Sequence, residues 1–517
     1  MLEHTTPISS SNSSGDRELI LSRALSLLEL FHPNGTATRS LVLGSRCPAM
    51  LQPRSRMVTS EHADLVILAP TVTECRTRGW LQEAVRSLNQ SLEPNGVLYV
   101  LAPLRWRRPI IRLLFEYGLS IELSIAHLPD QRVSRYLVPL SPIPARYALS
   151  QLLPLPRWGG RLLTTTAFRF FRYDQFWRYI LPSVGMVVRR PGALPIFEWL
   201  LRLRPEVQRS GGVIVRTSWR GENGPVILYR FVDSDDSPPT VAKMNLTTNT
   251  LRHLVGEAQN LDRLGPNARS AGAQVPQCLS LEQVNDRPVL LQTMICGQAI
   301  ASLLISQPSR LIEIIECLIA WLKSWNRSTM VIRPLDRELL EKELLTSAAL
   351  IVPLLNQGEE YRNWLVHCCL TLTGTPTTLV ATHNDLTMWN IFLGEQGQLG
   401  VIDWESASEK GLPFVDFFYA VTDAITVAQT NGDRPKAFKE SFASGGTYES
   451  MVGQFLTALR RVVQIPDETL RLCFHACWLH HAANEYRSTG PSDPRPFLDL
   501  VQWLALNRSH ISKWVHG

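Results

Sequence analysis

The 517-residue sequence predicts two folded parts of different class, an α/β module followed by an α+β domain with two lobes. Three observations predict this arrangement. Strand and helix patterns alternate in the first part, paired strand patterns followed by long helical patterns fill the second, and a stretch rich in proline, glycine and arginine at 187–212 lies between them. We therefore expect the domain boundary at about residue 205.

From this boundary the sequence divides into four segments. The first, at 1–16, is rich in serine and threonine and lacks both the basic start and the apolar core of a signal peptide, so we expect an uncleaved, disordered tail. The α/β module follows at 17–204. A strand-rich lobe at 205–300 and a helical lobe at 301–517 complete the chain.

The composition excludes several classes of protein. Hydrophobic residues make up 45% and charged residues 19%, as in ordinary globular proteins. The formal charge of +6 is small, and no basic stripe interleaved with aromatic residues predicts nucleic-acid binding. No apolar stretch matches a membrane span. Nine scattered cysteines fit a reducing compartment, so we expect a cytoplasmic protein without a transmembrane segment.

The first module begins with a helical pattern, "RELILSRALSLLELF" (17–31), followed by strand patterns in "SLVLG" (40–44) and "ADLVILAP" (63–70). "RGWLQEAVRSLNQSLEPNGVLYVLAP" (78–103) then predicts a helix, a turn and a strand. A strand, helix and strand in this order predict a right-handed parallel unit.

This pattern resembles the second half of a class I S-adenosylmethionine-dependent methyltransferase domain, which implies a Rossmann-like module. That family has a glycine-rich turn after its first strand, where this sequence has only Gly44. About twenty residues then separate Gly44 from the next strand, too few for the missing strand and helix units. We expect a degenerate module that serves as a scaffold or in substrate recognition, with an active methyltransferase as the alternative.

The second part contains the stretch "ATHNDLTMWNIFLGEQGQLGVIDWESA" (381–407). Two short apolar runs flank the turn signal "GEQGQ", which predicts a β-hairpin. Because antiparallel pairing brings the start of the first strand beside the end of the second, Asn390 and Asp403 should be neighbours. An amide oxygen and a carboxylate, completed by water and phosphate oxygens, suit Mg²⁺. Asp385 lies where a group could orient or deprotonate an attacking hydroxyl.

"HNDLTMWN" (383–390) reproduces the kinase catalytic-loop pattern H-x-D-L-x-x-x-N, and "VIDWE" (401–405) follows in the place of the D-F-G segment. The sequence from about residue 210 to 517 resembles the aminoglycoside phosphotransferase and choline kinase family. This resemblance implies a bilobal protein-kinase-like fold that uses ATP and Mg²⁺ to phosphorylate a small-molecule acceptor.

Carried over residue by residue, the resemblance implies that Asp385 is the catalytic aspartate and that His383 supports it within the catalytic loop. Asn390 and Asp403 become the Mg²⁺ ligands, and Asp416 braces the loop. Two positions depart from familiar patterns. Asn384 replaces the usual glycine and could alter the loop backbone, and Thr387 replaces the lysine of serine-directed protein kinases, which points away from protein substrates.

The strand-rich lobe begins with the patterns "GGVIVRTSW" (211–219) and "GPVILYRFV" (224–232), joined by a turn at 220–223. The resemblance implies that Lys243 contacts the α- and β-phosphates and that Glu257, on a helix at 250–264, pairs with it. "PVLLQTMICGQAI" (288–300) resembles the adenine-binding hinge, with 292–297 at the lobe junction. "LIEIIECLIAWLKSWNRST" (311–329) then predicts the long helix of the helical lobe.

No G-x-G-x-x-G loop is present. Its absence favours the alternative that the domain is a catalytically inactive, nucleotide-binding scaffold or regulator.

Several alternatives stay open from the sequence. The acceptor could be an aminoglycoside, a choline-like alcohol, a sugar or a biosynthetic intermediate, because the fold is shared and the pocket is not. The choice of ATP or GTP, S-adenosylmethionine binding and the oligomeric state are also open. "CFHACWLHH" (473–481) has a spacing that could bind zinc, although buried core residues on a helix explain it more simply.

Overall fold

The computed structural model describes residues 30–34, 37–43, 56–57, 62–129, 134–148, 183–203, 210–217, 225–232, 240–245, 251–284, 287–490 and 495–516. The predicted tail, most of the predicted helix at 17–31, Gly44, the predicted turn at 220–223 and the boundary at residue 205 lie outside these residues.

The chain divides into two compact units. We call them the sheet unit (His4–Val255 and Cys278–Met294) and the helical unit (Gly256–Gln277 and Ile295–Gly517). The chain passes from the sheet unit to the helical unit for the last time after Met294. This point lies inside the segment 292–297 that the sequence predicts as a hinge.

Among its described residues, the sheet unit contains twelve strands and five α-helices of its own. The strands are β1 (Arg39–Leu43), β2 (Arg56–Met57), β3 (Ala63–Leu68), β4 (Leu92–Pro103), β5 (Ser120–Pro129), β6 (Ser134–Pro139), β7 (Ser183–Arg189), β8 (Ser210–Arg216), β9 (Pro225–Val232), β10 (Thr240–Asn245), β11 (Cys278–Val284) and β12 (Arg287–Thr293). The helices are α1 (Val72–Arg76), α2 (Trp80–Ser91), α3 (Arg107–Glu116), α4 (Pro142–Tyr147) and α5 (Glu198–Arg202).

All twelve strands form one mixed sheet in the order β11-β12-β10-β9-β8-β6-β5-β7-β4-β3-β1-β2. Strands β2, β1, β3 and β4 are parallel, and α1 and α2 connect β3 to β4, so the predicted strand-helix-strand unit is confirmed. The predicted Pro-Asn-Gly turn instead belongs to β4. The pairing moves from Ala63↔Leu92 to Leu65↔Val97, so four residues of β4 bulge opposite a single residue of β3.

One pairing joins the first module to the strand-rich lobe. β6 pairs with β8 through Tyr136↔Arg216 and Leu137↔Val215. β8 is also the first strand of the antiparallel set β8, β9, β10 and β12. The two sequence segments therefore share a continuous backbone hydrogen-bond ladder.

The core of the sheet unit lies on both faces of this sheet. Because side chains alternate along a strand, β4 sends Leu98 and Val100 to one hydrophobic cluster and Val97 and Tyr99 to the other. Both clusters also contain side chains from β6 and β8. The apolar packing is thus continuous across the β6–β8 pairing.

The described part of the helical unit contains six short strands and most of the long helices. The strands are β13 (Gln298–Ala299), β14 (Val331–Pro334), β15 (Pro376–Thr382), β16 (Ile391–Leu393), β17 (Leu399–Val401) and β18 (Ser408–Gly411). Helix α6 (Leu251–Ser270) starts in the sheet unit and continues into the helical unit. The other helices are α7 (Ile300–Ser306), α8 (Leu311–Thr329), α9 (Arg337–Leu340) continued by a π-helical segment (Glu341–Leu345), α10 (Thr346–Ile351), α11 (Gly358–Leu372), α12 (Val415–Gln429), α13 (Arg434–Phe442), α14 (Glu449–Arg460), α15 (Asp467–Thr489), α16 (Pro496–Leu506) and α17 (Lys513–His516).

Two helices organise the core of this unit. Helix α8 has the bounds that the sequence predicts, and its buried side chains include Leu311, Ile315, Leu318 and Leu322, at the spacing of one helix face. Helix α12 is buried all round from its first residue to Thr426. A helix buried on every side can hold polar side chains only if they have partners, which makes its two aspartates conspicuous.

No helix among the described residues is both long and apolar enough to cross a membrane. The cysteines in the described part of the chain are free thiols. Cys473 and Cys477 are buried on α15, and no cluster of three or more metal-binding side chains occurs in that part of the protein. The structure therefore gives no support to the zinc alternative.

Candidate active site

The predicted hairpin is present in the helical unit. β16 and β17 pair antiparallel with Ile391 opposite Val401 and Leu393 opposite Leu399. The ladder extends by one more bond, in which the Ile402 amide donates to the Asn390 carbonyl at 3.0 Å. Asn390 therefore stands opposite the residue that precedes Asp403, as the spacing predicts.

The side chain of Asn390 is bonded to Asp385. Its amide nitrogen donates to the Asp385 carbonyl oxygen at 2.9 Å and to carboxylate oxygen Oδ2 at 3.0 Å. The Thr387 amide also donates to the Asp385 carbonyl at 2.9 Å, which closes a tight loop. Because the amide nitrogen of Asn390 is committed to Asp385, the amide oxygen is the atom of this side chain suited to a cation.

His383 is fully buried below the loop, and both of its ring nitrogens are occupied. Nε2 lies 3.0 Å from the Ile402 carbonyl, and Nδ1 lies 3.3 Å from the Asp385 amide. These partners require a proton on Nε2 and a lone pair on Nδ1, as in a neutral imidazole. The ring also contacts Trp404 edge to face at 5.0 Å between centroids. His383 therefore links the loop to the end of β17, which is a supporting role.

Asp416 holds the start of the loop. Its two carboxylate oxygens accept hydrogen bonds from the His383 amide at 2.7 Å and the Asn384 amide at 2.8 Å. Burial raises the pKa of Asp416 to about 6, and the two backbone hydrogen bonds oppose the rise. The two backbone hydrogen bonds thus replace the water that the buried Asp416 carboxylate has lost.

Asn384 has a backbone φ of 62°, in the left-handed region. Glycine enters this region without strain, and asparagine is among the few other residues that tolerate it. The substitution of Asn for Gly is therefore compatible with the loop conformation. The Asn384 side chain adds a hydrogen bond from Nδ2 to the Ser406 carbonyl at 3.0 Å.

Asp403 also adopts left-handed backbone angles, with φ 70° and ψ 59°. Aspartate, like asparagine, tolerates this region better than most residues, and side-chain-bearing residues in it recur at functional sites. The residues after it are fixed, because Trp404 is fully buried and its indole donates to the Val401 carbonyl at 3.0 Å. Asn260 on α6 donates to the carbonyl oxygens of Trp404 and Ala407 at 2.8 and 3.1 Å. No pattern in the sequence indicated this support from Asn260.

The two residues predicted to bind nucleotide lie in different units. Lys243 is buried on β10, between Ile227 on β9 and Leu290 on β12. Glu257 is buried on the part of α6 that belongs to the helical unit. Their predicted pairing stays a prediction. His383, Asp385, Asn390, Asp403 and Asp416, in contrast, all belong to the helical unit.

A small cavity of about 10 Å³ adjoins the loop at Asn384. Its lining also includes Glu343, Cys477, His480 and His481. Burial lowers the pKa of His480 to about 4 and holds the pKa of His481 well below its usual value, so both imidazoles are neutral at pH 7. Such a lining can offer hydrogen bonds to a polar ligand without a positive charge.

Residues 207–451 match the family model described as the phosphotransferase enzyme family. The match covers a little under half of the chain, and within that region the sequence is similar to this family. A comparison with curated proteins gives no match.

Solved structures with a similar fold include several kinases of small molecules. A choline kinase from Streptococcus pneumoniae is 14% identical, with 62% of this chain and 98% of that chain covered and a TM-score of 0.38. A macrolide 2′-phosphotransferase from Brachybacterium faecium is 15% identical, with coverage of 60% and 97% and a TM-score of 0.35. An aminoglycoside phosphotransferase from Streptomyces rimosus is 15% identical, with coverage of 55% and 97% and a TM-score of 0.35.

Proposed function

We propose that this chain, which carries a phosphotransferase-family domain, transfers a phosphoryl group from ATP to a hydroxyl of a small molecule in an Mg²⁺-dependent reaction. One observation carries the proposal. The Asn390 amide holds the Asp385 carboxylate at 3.0 Å, in a loop whose start is fixed by the buried Asp416. A carboxylate held in this way can align an acceptor hydroxyl and take its proton.

In this proposal Asp385 is the catalytic residue and His383 supports it. Asp385 would accept a hydrogen bond from the acceptor hydroxyl and orient its oxygen toward the phosphorus atom. His383 is buried and has both nitrogens occupied, so it would not meet the substrate. Thr387 leaves the loop without the lysine of serine-directed protein kinases, which supports a small acceptor.

The chemistry of the two proposed metal ligands fits magnesium. Asn390 and Asp403 offer an amide oxygen and a carboxylate, both hard oxygen donors. Two protein ligands suit Mg²⁺, which keeps several waters and takes other ligands from phosphates. When bound, Mg²⁺ supplies charge neutralisation on the phosphates. The protein's part is to hold the two side chains, through the Asn390 amide bond to Asp385 and the constrained backbone at Asp403.

Lys243 and Glu257 complete the proposal on the nucleotide side. We assign Lys243 to the α- and β-phosphates and Glu257 to the support of that lysine. The burial of both side chains supports this assignment, because lysine and glutamate are rarely buried without a partner. The same features also fit a nucleotide-binding scaffold without activity, so the experiment must separate binding from turnover.

We also propose that residues 17–204 are a degenerate, methyltransferase-like Rossmann module. The parallel strands β2, β1, β3 and β4 support this proposal. A scaffold role fits the pairing of β6 with β8. Calorimetric titration with S-adenosylmethionine tests it, and heat of specific binding would instead support a working cofactor site.

The nucleotide proposal is tested by thermal unfolding of the full chain with and without Mg²⁺ and ATP or GTP. Ligand at about a hundred times its dissociation constant adds roughly 2.7 kcal/mol to the folded state. The parent should shift upward, whereas Asp403→Ala and Lys243→Met should not. Glu409→Ala, which removes an exposed carboxylate six residues after Asp403, is the matched control and should shift like the parent.

Turnover then separates the enzyme from the scaffold. The parent should release ADP or GDP faster when a hydroxyl acceptor is added, and Asp385→Asn should bind nucleotide without this release. A parent that shows no thermal shift at millimolar ATP or GTP would remove the phosphoryl donor and refute the proposal. Binding without turnover on any acceptor would favour the scaffold.

A further inference from the structure

Helix α12 carries two buried aspartates on one face. Asp416 and Asp423 are seven residues apart, which is about two helical turns. Both are buried, with residue exposures of 5% and 2%. Since a buried carboxylate is unfavourable without compensating bonds, each of them should have a structural task.

Asp423 holds the second half of the catalytic loop. Its Oδ2 accepts a hydrogen bond from the Met388 amide at 2.7 Å. The Met388 carbonyl accepts from the Ala301 amide at 2.8 Å, and the Met388 side chain is fully buried. Residue 388 is therefore fixed from both sides of its backbone. Asp416 holds the first half in the same way, through His383 and Asn384.

The other oxygen of Asp423 is paired with Arg434, the first residue of α13. The guanidinium also lies over two aromatic rings, 4.5 Å from the centroid of Phe497 and 5.7 Å from that of Tyr419. Aromatic faces attract a desolvated cation, so the side chain is held in one position.

The guanidinium of Arg434 interacts electrostatically with several groups. Burial acts to lower the pKa of Arg434, but interactions with four nearby groups outweigh burial and raise it. The groups that raise it are Tyr419, Asp423, Asp385 and Glu485. Arg434 therefore interacts electrostatically both with its partner Asp423 and with the proposed catalytic carboxylate.

We infer that Asp423 and Arg434 form a positioning pair that fixes the second half of the catalytic loop, so that Asp385 and Asn390 keep their mutual geometry. The inference rests on the proposed function, in which Asp385 aligns the acceptor. Neither member of the pair is a catalytic residue, because both act through Met388 and the loop. The pair needs both members, since Asp423 without Arg434 would be a buried charge with one amide donor.

The first test measures hydrogen exchange by mass spectrometry in the full chain. Asp423→Asn and Arg434→Met should each speed exchange in the peptide that covers 383–390 by about tenfold or more, because that segment then opens more readily. Arg434→Lys keeps the charge but not the planar group, and should have a smaller effect. Thr426→Val is the control, since Thr426 is buried on the same helix and its hydroxyl donates to the Thr422 carbonyl within that helix.

Unchanged exchange at 383–390 in Asp423→Asn and Arg434→Met would overturn the inference. So would an equal increase in Thr426→Val, because a general loosening of α12 would then explain the result. This test does not depend on nucleotide or acceptor. Its failure is therefore distinct from a failure of the proposed function.

The second test is kinetic and uses ATP hydrolysis, with water as the acceptor. Arg434→Met and Asp423→Asn should lower kcat by about tenfold to a hundredfold, because small displacements of a catalytic group are costly. The dissociation constant of Mg²⁺-ATP should change by less than about twofold, and Arg434→Lys should regain part of the lost kcat. Parallel losses of kcat and nucleotide affinity, in proportion to the fraction unfolded, would overturn the positioning role.

Discussion

The amide nitrogen of Asn390 lies 3.0 Å from Oδ2 of Asp385 and 2.9 Å from the carbonyl oxygen of the same residue. The proposed metal ligand and the proposed catalytic residue are thus bonded to each other. A change at Asn390 should therefore affect both the position of Asp385 and the binding of the cation.

Asn390→Asp keeps an oxygen for the cation but removes both hydrogen bonds to Asp385 and sets two carboxylates side by side. We expect kcat to fall by about a hundredfold, as expected for a misplaced catalytic group. Initial rates of ADP release at saturating Mg²⁺-ATP measure this. Asn356→Asp makes the same change at an exposed position of the helical unit and should leave the rate unchanged. A normal rate in Asn390→Asp would show that the bond to Asp385 is dispensable.

The positive φ of Asn384 predicts an unusual order of tolerance. Asn384→Gly loses the bond to Ser406 but fits the left-handed backbone, so the free energy of unfolding should fall by at most about 1 kcal/mol. Asn384→Val places a β-branched side chain at the same angle and should be more costly, by about 2 kcal/mol. Denaturant titration followed by tryptophan fluorescence compares the two. Equal losses of unfolding free energy in the two variants would contradict the explanation that the positive φ at residue 384 sets the cost of substitution.

The raised pKa of Asp416 predicts how stability depends on pH. The folded protein holds this proton up to about pH 6, whereas an unfolded aspartate loses it near its ordinary value of 3.8. Asp416 therefore contributes stability below about pH 4 that is lost as the pH rises through 6.

The comparison of the parent with Asp416→Asn tests this sign. The difference in unfolding midpoint between the two proteins should shrink as the pH rises from 4.5 to 7.5. Differential scanning fluorimetry across this range measures it. A difference that grows with pH would mean that the two amide bonds outweigh burial and depress the pKa.

The continuous sheet predicts that damage to the first module spreads to the strand-rich lobe. Leu137 on β6 is buried opposite Val215 on β8. Leu137→Asp should lower stability by about 3 kcal/mol or more, since it buries a charge. Exchange of backbone amides in β9 and β10 should also become faster. Leu194→Asp, at an exposed leucine of the same unit, is the control. Unchanged exchange in β9 and β10 would show that the two parts unfold separately.

The elements found correctly from the sequence are those with local signals. The hairpin of β16 and β17 is encoded by two apolar runs and a turn, and α8 by apolar spacing along 19 residues. The catalytic-loop pattern is equally local. Asn390 could be placed beside the end of β17 because register in a short hairpin is fixed by its turn.

The features that the sequence did not predict depend on distant partners. β6 and β8 pair through residues 78 and 80 positions apart in the sequence, and edge pairing leaves no mark on either strand pattern. Asp423 binds a backbone amide, which any residue at position 388 except proline would supply. Its spacing from Asp416 becomes informative only once both residues are known to lie on one buried helix.

The pairing of β6 with β8 also ties the evolutionary histories of the two segments together. A single-residue insertion in either strand would turn its side chains to the opposite face and bring polar groups into the core. Recombination can freely exchange two domains that are joined by a flexible linker. Here, a replacement module would have to supply a strand that pairs with β8 in the same register as β6. We therefore expect the first module to be inherited with the lobe as one unit, and changes on one side of the junction to be accompanied by compensating changes on the other.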